Sequence, residues 1–127
     1  RLLKEVAAPN RELLYLTNLG EYICCCVQTG IHAKQWYSLT SKLKAEEKRE
    51  AVRAYLEDIK ALIAAERKNA ERALDLVEKD SRLGWEPSMD YIADAEHIRW
   101  KLRHMDYVLD FEVKCYENGS DGKWVNE

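Results

Sequence analysis

The sequence predicts an all-α domain, an antiparallel bundle of three long helices over about residues 11–44, 46–79 and 88–117. Three observations predict it. The 127-residue chain holds only five Gly and two Pro, too few to punctuate many short strands. Apolar residues recur at three- and four-residue steps over long stretches. Apolar residues make up 46% and charged residues 34%, a balance suited to a folded domain rather than a disordered or membrane-embedded one. At this length a single domain (residues 1–127) can bury a core without disulfide or metal staples.

The elements follow in order. Residues 1–9 form a lead-in, and Pro9-Asn10 is a helix start, with Asn10 as cap and Glu12 in the first turn. The first helix carries Leu13, Leu16, Leu19, Ile23, Cys26, Ala33, Trp36, Leu39 and Leu43 at helical spacing. Gly20 and Gly30 interrupt it, each at about 1 kcal/mol relative to Ala, and imply close approach of a neighbouring helix. A turn without Gly or Pro falls near Lys44 to Glu47.

The second helix has the stripe Val52, Leu56, Ile59, Ile63, Ala70, Leu74 and Val77, widened by Tyr55, Leu62 and Ala73, and a charged opposite face. Gly84 and Pro87 stop the pattern. The third helix then repeats Tyr91, Ala95, Ile98, Leu102, Met105, Leu109, Glu112 and Tyr116. Asp94 is placed to cap internally, which would make residues 88–93 a separate turn. Residues 118–127 read as a loose tail. Helices of about 30 residues span about 45 Å, and short turns fold such rods back on one another.

Charge and hydropathy exclude several classes. The net charge of −3 is well mixed, with no basic face for nucleic acid and no polybasic block for anionic lipid. The longest apolar run, Tyr22 to Val27, is far short of the roughly 20 residues of a membrane span. No signal-peptide pattern is present. The start at Arg1 and the stretch Asn118-Gly-Ser-Asp-Gly122 look like a fragment of something longer. Cys24, Cys25 and Cys26 point about 100° apart on a helix, so they cannot gather on one metal. With Cys115 they fit small residues in a reducing, cytoplasmic compartment.

No catalytic set emerges, and no cofactor is implied. A carboxylate-bridged di-metal bundle needs two Glu-x-x-His motifs, and only Asp94-x-x-His97 comes near. His97 and His104 share a face roughly 10 Å apart, too far for one ion, and His32 stands alone. All three are expected to be partly exposed. There is no Gly-x-Ser-x-Gly elbow and no Gly-rich phosphate loop. Glu66 falls in line with the apolar stripe of the second helix. Charges are rarely buried unpaired, so the sequence favours a place at the stripe's edge. The alternative is a buried carboxylate paired with Arg or His on another helix.

The turn from Asp80 to Met89 concentrates costly residue types. Asp80 caps backbone, Arg82 offers a planar donor fork, and Trp85 offers a flat apolar face beside Glu86. The plainer reading is a well-made corner, with Trp85 plugging the bundle end and Arg82 paired with Asp80 or Glu86. The other makes Asp80, Arg82, Trp85 and Glu86 an interface with a partner domain or ligand.

Asp80-Ser-Arg-Leu-Gly-Trp-Glu-Pro-Ser-Met-Asp-Tyr91, followed by Glu96-His-Ile-Arg-Trp-Lys-Leu102, resembles the C-terminal long-helix region of large bacterial glycoside-hydrolase-like proteins. Leu19 to Leu43 with Trp36, and Asn69-Ala-Glu-Arg72, fit the same resemblance, which covers Asn10 to Tyr116. It implies a parent acting on carbohydrate, whose catalytic barrel lies elsewhere and whose bundle braces that barrel or shapes an oligomer contact. No catalytic residue carries over to this chain. The partner implied is a missing catalytic domain of the same polypeptide, with a homo-oligomer as a further option. The alternative is a free-standing interaction or self-association module, suggested by Tyr15, Tyr22, Trp36, Tyr37 and Trp100, more aromatic residues than one thin stripe needs.

Overall fold

The computed structural model of the chain describes residues 10–84 and 93–119. Among them there is no strand, and the all-α class is as expected. Helix α1 spans Arg11–Ala45 and α2 spans Arg49–Lys79. A 3₁₀ turn, Ser81–Gly84, follows. Helix α3, Ala95–Tyr107, runs on through a π-helical turn, Val108–Val113, into a last turn, α4, Lys114–Glu117. The third helix thus begins seven residues later than residue 88, and residues 88–92 lie outside the described ones. No helix of the described residues is long and apolar enough to cross a membrane.

Side-chain oxygens fix the helix ends. Asn10 Oδ1 accepts from the backbone N–H groups of Glu12 (2.9 Å) and Leu13 (3.3 Å). Asn10→Ala should therefore lower stability by about 1 kcal/mol, read out as faster hydrogen exchange at the Glu12 and Leu13 amides. Glu46 closes the turn that lacks Gly and Pro. Its Oε1 accepts from the N–H groups of Glu47 and Lys48, both at 3.0 Å. Asp94 caps α3 through the His97 N–H at 2.9 Å, as its position in the sequence suggested.

Helices α1 and α3 both pack on α2. Contacts between α1 and α2 pair Thr29 with Glu66, Cys25 with Asn69 and Glu21 with Arg72, so the two helices run in opposite directions. Contacts between α2 and the third helix pair Glu78 with Arg99, Arg67 with Asp106 and Lys60 with Glu117, again in opposite directions.

Two apolar clusters form. One joins Leu43, Val52, Leu56, Ile59, Ile63, Val108 and Val113. The other joins Cys25, Ala70, Leu76, Val77, Leu83 and Ile98.

Helix α2 buries nearly the stripe its sequence predicts, with Leu76 buried where Leu74 is half-buried. Helix α1 does not. Leu16, Ile23, Cys26 and Ala33 are exposed. The inward line instead runs Asn18, Tyr22, Cys25, Thr29, His32, Trp36, Leu39 and Leu43, all buried or half-buried at alternating four- and three-residue steps. Polar residues on that line disguised it, and apolar residues on the outer line imitated it. The glycines are corrected with it. Gly20 and Gly30 are exposed, and a Cβ at either would meet nothing within 4 Å, so among the described residues no helix approaches there.

A further correction concerns the third helix. Glu112 is exposed and Val113 buried. The π turn closes one residue later than an α turn, which advances the inward position by one.

Candidate functional site

The described residues bring their polar groups together in the middle of the molecule. On the α2 stripe Glu66 stands between Ile63 of one apolar cluster and Ala70 of the other. Glu66 is 8% exposed and His32 9%, so the edge position and the partly exposed, solitary His32 are both overturned. The pairing that makes burial tolerable comes from three helices. Thr29 Oγ1 donates to Glu66 Oε1 at 2.6 Å, and Lys101 Nζ donates to the same oxygen. His32 Nδ1 bonds Glu66 Oε2, and Asn69 Nδ2 reaches it at 3.5 Å. Asn69 Nδ2 also donates to the Cys25 carbonyl (2.9 Å) and to Thr29 Oγ1 (3.0 Å). Gln28 Nε2 lies 2.8 Å from His32 Nε2. An amide N–H donating there places the imidazole proton on Nδ1, facing the carboxylate.

Burial pushes the Glu66 carboxyl up, but the bonds from Lys101, Thr29 and His32 outweigh it and hold it below the usual glutamate range. Its two oxygens take donors from four residues, which uses the lone-pair sites of a carboxylate. None is left to take a proton from a substrate, so the arrangement suits a register key between helices. The sequence signal for it was faint: a Glu in phase with an apolar stripe, opposite a line that carries Thr29 and His32.

A cavity of about 310 Å³ opens beside this layer, lined by residues of α1, α2 and α3 including Trp36, Ile63, Lys101, His104 and Met105. It is at the low end of ligand-pocket size, and its Glu66 and His32 are already committed to each other.

At the 3₁₀ turn, Arg82 Nε donates to Asp80 Oδ1 (2.8 Å) and Nη2 donates to Oδ2 (2.6 Å), a bidentate fork. Those bonds hold the Asp80 carboxyl below its ordinary value. The Arg82 guanidinium also lies 4.1 Å over the Tyr15 ring, tying the turn to the start of α1. Asp80 and Arg82 therefore sit together, bordering a hollow of about 690 Å³ that Glu12 and Tyr15 also line. Trp85 and Glu86 lie outside the described residues. Leu83 and Gly84 are buried, and the Ala93 N–H donates to the Gly84 carbonyl at 3.1 Å, joining the two ends of the intervening segment.

The outside of α3 carries a feature that the sequence reading missed apart from Trp100. Trp100, His104, Tyr107 and Phe111 stack in sequence along the helix, with ring centroids 5.4, 6.2 and 5.4 Å apart. Trp100, Tyr107 and Phe111 are each more than half exposed. Spacings of four, three and four residues are the legible sign of such a line.

Other candidates are quieter. His97 is exposed and bonds Asp94 Oδ1 at 2.8 Å. Cys25 is buried, and burial pushes its thiol up, away from thiolate chemistry. Among the described residues no group of His, Cys, Asp and Glu is arranged to hold a metal ion. Comparison of the chain with protein-family models, with curated proteins and with solved structures found no match.

Proposed function

We propose that this chain is a non-catalytic helical docking domain, which packs against another folded unit through the aromatic line on α3. The observation that carries the reading is the exposed stack of Trp100, His104, Tyr107 and Phe111. Aromatic side chains are where interfaces concentrate their binding energy. Trp100, Tyr107 and Phe111 keep more than half of their surface exposed. The polar cluster inside, by contrast, is closed upon itself.

The resemblance of the segment from Asp80 to Leu102 supports a more specific form. In it the unit docked upon is the catalytic barrel of a bacterial glycoside-hydrolase-like polypeptide, which the helices brace, in a reducing cytoplasmic setting suited to the four cysteines. Catalysis then belongs to the barrel.

The test has two parts. The coding frame around this chain should encode a second folded domain, and a frame without one ends the accessory reading. The double variant Trp100→Ser with Phe111→Ser should keep the wild-type melting temperature. It should weaken binding to that separately produced domain by about tenfold or more. Unchanged binding would remove the aromatic line from the interface.

A further inference from the structure

The outer face of α1 is independent of the aromatic line and has its own pattern. Leu16, Gly20, Ile23, Val27, Gly30 and Ile31 follow one another along it, all exposed, with no polar side chain among them. Leu16, Ile23 and Val27 are each more than half exposed. Two glycines at exposed helix positions lower helix stability and bring nothing close among the described residues. Charges of opposite sign close the ends, Glu12 before the apolar stretch and Lys34 after it. Neither makes an ion pair among the described residues.

We propose that this face binds the same face of a second copy of the chain, with the two α1 helices antiparallel about a twofold axis near Ile23 and Cys24. That arrangement alone makes the pattern self-complementary. Leu16 faces the partner's Ile31, Val27 seats over the partner's Gly20, and Gly30 lies beside the partner's Leu16. Glu12 at one end meets Lys34 of the partner subunit at the other, about 33 Å of helix away along its own chain. The symmetry repeats every contact, as an isologous interface requires. A parallel pairing would set Glu12 on Glu12, Lys34 on Lys34 and glycine on glycine, leaving like charges together and holes unfilled. In the antiparallel pair the exposed Cys24 of each copy falls on the same face of the helix pair, one to two residues from the other along the helices.

The experiment uses the whole chain at tens of micromolar concentration. Sedimentation should give twice 14.9 kDa for the wild type and 14.9 kDa for Ile23→Arg, with unchanged helical circular dichroism. A short bismaleimide should crosslink the wild type into dimers and fail on Cys24→Ser, whose mass in sedimentation stays dimeric. Glu12→Lys should weaken the dimer by about fivefold, and adding Lys34→Glu should restore it, because exposed ion pairs contribute at that scale. Overturning results are equally plain. A wild-type monomer at the highest concentration ends the proposal. So does a dimer that ignores Ile23→Arg, or one that Glu12→Lys leaves unweakened.

Discussion

Glu66→Ala is expected to lower the unfolding free energy by about 3 kcal/mol, measured by urea denaturation near neutral pH. Removing one member of a buried ionic cluster strands its partners. Here those are the buried His32 and the half-buried Thr29, with Asn69 and the half-exposed Lys101. Lys101 can recover some water, which places the effect at the low end of the range for broken buried pairs. Glu66→Gln keeps the volume and one acceptor, so it should cost less than Glu66→Ala. The wild type should also show a pH signature that both variants lack. Folding holds the Glu66 carboxyl below its ordinary range. Its stabilisation is therefore complete above that range and fades as pH falls through the lowered folded value. A wild type and Glu66→Gln with parallel acid-unfolding curves would show that the carboxylate is not the group that matters.

Gly84→Ala is the second large effect. A Cβ there would sit 2.7 Å from the Ala93 carbonyl oxygen and 3.2 Å from the Asp94 Cα, and both are backbone. Backbone cannot step aside as the tip of a side chain can. The substitution should cost about 2 kcal/mol and lower the melting temperature by several degrees. The expected local consequence is loss of the bond from the Ala93 N–H to the Gly84 carbonyl, seen as faster exchange at Ala93. A Gly84→Ala protein with wild-type stability and protection would show that the close approach of residues 84 and 93 does not hold in solution.

These two sites also mark what the sequence made legible. The helical class, the α2 stripe, the Asn10 and Asp94 caps and the end of α2 at Lys79 all rest on local chemistry, and local chemistry is written in neighbouring residues. The inward face of α1 is set by partners far along the chain. Thr29 and His32 point inward because Glu66 does, and a single helix read alone offers Leu16 and Ile23 as the better core. Arg82 paired with Asp80 was within reach because only two residues separate them. Its stacking on Tyr15 was not, since that contact spans most of two helices.

The π turn has one more effect, best put as a matter of phase. Upstream of it, Ile98 belongs to the apolar cluster around Ala70 and Val77; within it, Val108 and Val113 belong to the cluster around Leu56 and Ile59. The helix counts some of its inward residues from two different origins. A seven-residue ruler laid from Ile98 through Met105 lands on the exposed Glu112, one residue short of the buried Val113. One surplus residue lets the helix set Val113 rather than Glu112 against the evenly spaced stripe of α2, so the neighbour's regular seven-residue rhythm is met by an apolar side chain at both ends.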